Sequence, residues 1–270
     1  MDYIERINSE KTILLDELNE KRQEINKMQS IISASKNTLS EKELDLLIKS
    51  FIVLIYAYWE DAYHKLNIYL NSVYCDTPIK DLPYNLKNKS LLQLTINGDL
   101  DIKIDSFEKI NKLHRCLVSN EVKSINEVDT EQNNIKNKLI NFHSKQNPKI
   151  HDFKELLKFH SFNPKKVFDY LNYDGDNEDI ITSIINFIIS QRNNIAHKNS
   201  NHIHNKKSFS TCREVILYYL ELQFPKKRHN LQPEDFLKDI LFDINNLFIQ
   251  SATFVCTELT NKLGEKIENN

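Results

Sequence analysis

The sequence predicts an all-α protein: a helical bundle with long N-terminal and C-terminal helices and a mostly helical insertion between them. Three observations predict it. Only 3 Gly and 6 Pro occur in 270 residues, and the many tight turns of an all-β fold consume those two residue types. Apolar side chains recur at steps of three and four residues through several long segments, the period of a helix with one buried face. Ser40 followed by Glu43 is a capping box, a start signal for a helix.

The elements follow in chain order. Residues 3 to 33 read as one helix whose stripe is Ile4, Ile7, Lys11, Leu14, Leu18, Lys21, Ile25, Met28 and Ile32, narrow enough to pack along a single neighbour. A second helix runs from the Ser40 cap to about Tyr74. Its middle, Phe51 to Ile55, is apolar nearly all round, as expected of a central helix buried on most sides. Between 75 and 103 the pattern breaks. Pro78, Pro83, the Asn97-Gly98 pair and the alternation of Leu91-Leu92-Gln93-Leu94-Thr95-Ile96 fit a short hairpin or an extended loop. Helical pattern resumes at 104–118 and 121–143, and two short helices are expected at 151–160 and 164–173. After the Tyr173 to Asp176 turn comes a helix at 178–197 with an isoleucine-rich side. A polar loop follows. Residues 208–223 fit a helix or a strand equally, and Pro233 opens the last long helix. This pattern is that of a single domain over 1–270, with a core of 1–74 and 178–265 and an insertion at 75–177.

Composition narrows the function. The formal net charge is −2, so any affinity for nucleic acid must come from a local patch. The N-terminal stretch has no signal-peptide core, and no apolar run approaches a membrane span; a cytoplasmic location with no membrane partner is expected. Cys75, Cys116, Cys212 and Cys256 stand far apart and are expected to be reduced and to hold no metal. His202 and His204 have no acidic or cysteine ligand nearby, which argues against zinc. Three glycines are too few for glycine-rich nucleotide loops, and no cofactor is expected.

The sharpest chemical feature is Gln191-Arg192-Asn193-Asn194-Ile195-Ala196-His197 at the end of the isoleucine-rich helix. On a helical wheel Arg192, Asn193 and His197 share one arc of about 140°, with small Ala196 between them. A forked cation can hold a phosphate, and an imidazole can move a proton near neutral pH. The spacing alone has little weight, because six arginines and nine histidines produce such a pair by chance about as often as not. A polar helix end whose His and Arg favour the C-terminal dipole explains it equally well. Glu60, beside Trp59 on an apolar helix, is a second candidate, since a lone carboxylate is costly to bury; its alternative is a structural ion pair. Tyr56 and Trp59 read as core. From His197 to Arg213 there is no acidic residue, while Lys198, Lys206, Lys207 and Arg213 are cationic; such loops would meet phosphates or are simply solvated.

Two motifs together resemble a known family. Arg, a polar residue, a short spacer and His at the close of an apolar helix is the signature of the HEPN family, here Arg192-Asn193 to His197. Tyr56-Ala57-Tyr58-Trp59-Glu60 resembles the Y-A-x-W-E stretch of one prokaryotic HEPN subfamily, in the helix after a long charged N-terminal helix. The resemblance covers roughly 1–74 and 178–262. It implies a helical fold, a homodimer with one composite site at the interface, and in many members metal-independent cleavage of RNA. Carried over, His197 is the general base or acid on the ribose 2′-hydroxyl, Arg192 binds the scissile phosphate, Asn193 positions substrate or His197, and Glu60 orients His197 or pairs with Arg192. Lys198 stands where the family often has Gly, adding a cation or marking a divergent site. The resemblance further implies a toxin or anti-phage effector restrained by an antitoxin or sensor protein. A non-catalytic scaffold binding RNA or a partner protein is the alternative, and a partner of a nucleotide transferase a third.

Overall fold

The computed structural model describes residues 3–35, 37–74, 82–86, 145–170, 175–197, 202–204, 207–223 and 232–268. Among these, seven helices and one two-stranded hairpin occur: α1 (Tyr3–Ser35), α2 (Glu41–Ser72), α3 (Ile150–Phe159), α4 (Pro164–Tyr170), α5 (Gly175–Ala196), β1 (His202–His204), β2 (Lys207–Phe209), α6 (Cys212–Gln223) and α7 (Pro233–Glu268). The protein is an all-α bundle, as its sequence predicts. The helices and hairpin expected between 75 and 143 lie outside the described residues, apart from 82–86.

α2 is the central helix. It packs against α1, α7, α5 and α6. The capping box forms: the Glu43 backbone N–H donates to Ser40 Oγ at 3.4 Å, and the Ser40 N–H donates to Glu43 Oε2 at 2.9 Å. Phe51, Ile52, Ile55, Tyr58 and Trp59 are buried, while Val53 is 39% exposed. α1 buries Ile7, Leu14, Leu18, Ile25 and Ile32. Lys21 is not on the buried stripe; it is exposed and paired with Glu24 at 3.2 Å, because an α-helix drifts off a strict seven-residue repeat and Gln29 takes the inward side.

Two aromatic clusters lock the bundle. Trp59 of α2 meets Phe248 of α7 at 5.2 Å and Phe153 of α3 at 6.2 Å, and Phe153 meets Phe248 edge-on at 5.6 Å. α3 and α4, within the segment set apart in sequence as an insertion, thus bury Phe153, Leu156, Val167 and Phe168 in the same core as α2 and α7. Tyr58 links three helices: its hydroxyl donates to Asn245 Oδ1 of α7 at 2.6 Å, and it lies 3.4 Å from the Leu18 carbonyl of α1. Against the expectation that no apolar run approaches a membrane span, α7 has a stretch, Pro233–Asn261, long and apolar enough to cross one; 61% of its apolar window is buried inside the protein, where it packs on α1 and α2.

The second cluster joins α5, α6 and the hairpin. Phe187 stacks on Tyr219 at 4.2 Å, and the Tyr219 hydroxyl shares a hydrogen bond with Ser183 Oγ at 2.9 Å. His204 lies edge-on to both rings at 5.4 Å. Part of the polar loop after His197 is therefore the antiparallel hairpin, with His202 opposite Phe209 and His204 opposite Lys207. The ambiguous 208–223 segment resolves into α6. Its start is fixed by Thr211 and Glu214, each side chain capping the other's backbone N–H, and by Asp45 of α2, whose Oδ1 accepts the Cys212 N–H at 2.7 Å. Burial pushes the Cys212 thiol up to about 12, so it stays protonated and inert.

Candidate functional site

Of the residues singled out in sequence, Arg192, Asn193, His197 and Glu60 lie where α5 ends against the flank of α2, and Lys207 and Arg213 do not. Arg192 and Asn193 are half-buried, while Ala196 and His197 are exposed. The His197 backbone N–H still donates to the Asn193 carbonyl at 3.0 Å, so the helix continues to the imidazole and keeps residues 193 and 197 on one face. Arg192 Nη1 donates to Asn193 Oδ1 at 3.1 Å. The same guanidinium lies over the Tyr56 ring, 4.6 Å from its centroid, a cation–π contact.

Tyr56 in turn holds a turn that joins the chain just before α3. Its hydroxyl donates to Asn147 Oδ1 at 2.7 Å, the Asn147 N–H donates to Glu60 Oε1 at 3.2 Å, and Trp59 Nε1 donates to the Pro148 carbonyl at 2.6 Å. Asn147 has φ 53°, the left-handed region that Asn tolerates better than most residues. Tyr56, Trp59 and Glu60 are one helical face, and all three grip the same two residues. Burial first, and then the Glu60 charge, raise the Tyr56 hydroxyl above the usual tyrosine range; the Arg192 charge opposes them.

Arg192, Asn193 and Glu60 therefore belong to one cluster, with His197 at its open edge. Glu60 serves Asn147, and among the described residues no ion pair joins it to Arg192. Lys198 and Lys206 lie outside the described residues. Lys207 is exposed, with its ammonium 4.5 Å over the Tyr218 ring. The hairpin that carries it packs back on α5 near Phe187, about 7–8 Å of helix axis before Arg192. Arg213 Nη2 donates to Gln232 Oε1 at 3.4 Å, so this cation braces the entry to α7. Among the described residues, no group of three His, Cys, Asp or Glu side chains could hold a metal ion.

Sequence reasoning missed Asn147 and took Tyr56 for core alone. An Asn before Pro at the end of a loop was the available signal for the first. The i, i+3, i+4 spacing of Tyr56, Trp59 and Glu60 was the signal that they share a partner.

An all-α bundle of this kind is that of the HEPN class of protein. The chain belongs to the RiboL-PSP-HEPN family, whose model matches residues 16–223. That stretch contains Tyr56, Glu60, Asn147, Arg192, Asn193 and His197. No curated protein and no solved structure matches the chain. Family membership suggests a ribonuclease or RNA-binding role.

Proposed function

We propose that the protein is a metal-independent endoribonuclease that works as a cytoplasmic homodimer, a toxin or anti-phage effector held in check by an antitoxin or sensor protein. The observation that carries this reading is the open end of α5, where exposed His197 follows the Arg192–Asn193 pair set on Tyr56. Arg192 neutralises the scissile phosphate through its forked donors. His197 takes the proton of the ribose 2′-hydroxyl, that oxygen attacks phosphorus, and the bond from phosphorus to the 5′-oxygen breaks. The leaving oxygen takes a proton from His197 of the second copy. The products are a 2′,3′-cyclic phosphate and a 5′-hydroxyl, and no water is consumed. One proton carrier per copy with electrostatic stabilisation suffices for this step. Lys198, Lys206, Lys207 and Arg213 would extend the phosphate contacts.

The surface beside the cluster supports a second copy. Leu46 is 63% exposed and Val53 39% exposed on α2, with exposed Ala57 one turn further along. Asn186, Ser190, Asn193 and His197 form an exposed or half-exposed line on α5. Burying the exposed Leu46 and Val53 against a second copy would be favourable.

The test incubates total RNA and tRNA with the purified protein in EDTA, alongside His197→Ala and Arg192→Ala. Cyclic-phosphate ends are expected in EDTA, with each variant slower by about 10²–10⁴-fold. RNA bound but left intact by the wild type selects the non-catalytic scaffold instead, and cleavage abolished by EDTA overturns the metal-independent mechanism. Val53→Glu is expected to yield monomers on sizing by light scattering and to lose cleavage with the dimer.

A further inference from the structure

Arginine reaches its target on a long side chain with several rotatable bonds, so a site that uses one gains from whatever fixes it beforehand. Here the fixing element is visible. The Arg192 guanidinium lies 4.6 Å over the Tyr56 ring, and Tyr56 is 2% exposed, so the ring is a rigid floor rather than a mobile surface group. The hydroxyl at the far end of that ring is tied to Asn147 Oδ1, and Asn147 is tied to Glu60. Of the five donors on the guanidinium, Nη1 is directed to Asn193 Oδ1. Among the described residues no acceptor engages the other donors, and an anion entering beside His197 would meet them.

We propose that Tyr56 is the positioning residue for Arg192: its aromatic face holds the guanidinium ready for a phosphate, and its hydroxyl serves only to anchor the ring. This rests on the RNA-directed function proposed above. The attraction comes from the ring's electron-rich face, so Tyr56→Phe keeps it and Tyr56→Leu abolishes it at similar burial.

The experiment is a double-mutant cycle on binding of a fluorescein-labelled RNA with 2′-O-methyl groups throughout, which carries phosphates and has no hydroxyl to activate. Tyr56→Phe is expected to bind within about twofold of wild type, and Tyr56→Leu to lose roughly tenfold. In an Arg192→Ala background Tyr56→Leu is expected to lose less than about twofold, because its effect runs through the guanidinium. A second readout needs no RNA. The side-chain protons of one arginine should carry an upfield ring-current shift that Arg192→Lys removes, Tyr56→Phe preserves and Tyr56→Leu abolishes. Equal loss of affinity in both backgrounds, or the absence of a ring-shifted arginine, would overturn the proposal and reduce Tyr56 to a core residue. If no variant binds the RNA, the RNA-directed function fails, and the ring-current shift alone decides the Tyr56–Arg192 pairing.

Discussion

Replacing Asn147 tests the turn that α2 grips beside the cluster. Asn147 holds φ 53° and accepts the Tyr56 hydroxyl at 2.7 Å. Asn147→Gly keeps the left-handed backbone and removes the acceptor. One partly buried hydrogen bond is worth about 1 kcal/mol, and the added freedom of Gly in the unfolded chain costs about 0.5 kcal/mol more. Asn147→Ala loses the same bond and, without the polar side chain that lets Asn occupy the left-handed region, carries that region's cost of about 1–2 kcal/mol. Gly is therefore expected to cost about 1.5 kcal/mol and Ala about 2–3 kcal/mol, although Ala is ordinarily the less disruptive residue. The protein carries its own reporter. Its single tryptophan is Trp59, bonded to the neighbouring Pro148 carbonyl, so urea unfolding followed by fluorescence reads the vicinity of the turn. Far-UV circular dichroism gives the global transition. At about 2–4 °C per kcal/mol, Ala should melt roughly 4–12 °C below wild type and Gly by less. If Ala is as stable as Gly, Asn147 is not in the left-handed region. If both match wild type, the grip of Tyr56, Trp59 and Glu60 holds nothing.

Asp45 carries the start of α6: it accepts the buried Cys212 N–H at 2.7 Å and pairs with Lys49 at 2.8 Å. Asp45→Ala should cost about 2–3 kcal/mol through the lost cap and the orphaned N–H, and Asp45→Asn markedly less, read as a shift in urea midpoint at constant m. His204 is held below the ordinary histidine value of 6.5 by burial among Phe187, Tyr218 and Tyr219, with the Lys207 ammonium over Tyr218. The unfolded chain binds that proton more readily, so stability is complete above about pH 6.5 and is lost as pH falls through that value, levelling off below the folded value. The slope of Tm between pH 7.5 and pH 5.5 (roughly one unit either side of that value) should flatten in His204→Phe; an unchanged slope would remove His204 from the acid response. Glu60 accepts a backbone N–H, a task an amide oxygen can also perform. Glu60→Gln is thus expected to cleave RNA within about threefold of wild type, whereas loss of a proton carrier costs about 10²–10⁴-fold; a loss of that larger size would assign Glu60 to the chemistry.

How much of this was legible depended on distance along the chain. The long helices were, because their signals are local: a repeating apolar face in α1 and α7, and at α2 a capping box whose two bonds both form. α6 was not, because Val215 to Phe224 is rich in residues that suit strands equally well. Two things decide it. One, the Thr211–Glu214 capping box, was readable and overlooked. The other, the Asp45 carboxylate 167 residues away, was not readable at all. The hairpin is the reverse case. Its strands have three residues each, too short for alternation to register, and the packing of His204 and Phe209 on α5 and α6 aromatics supplies what the local sequence lacks.

The site divides along the same line. The arc of Arg192, Asn193 and His197 follows from helical geometry alone, whereas its floor, Tyr56, and the anchor of that floor, Asn147, come from two other parts of the chain. This division separates two jobs within the Tyr56-to-Glu60 motif. Trp59 and Glu60 each hold a backbone atom of the 147–148 turn, and any chain that keeps the turn needs them whether or not it acts on RNA. Tyr56 alone faces both ways, with its hydroxyl on the turn and its ring under the cation. A chain of this fold that lost Arg192 would therefore retain its reasons for keeping Trp59 and Glu60, and only the aromatic face of Tyr56 would lose its purpose. In this chain Trp59 and Glu60 accordingly serve the turn, and Tyr56 joins that turn to Arg192.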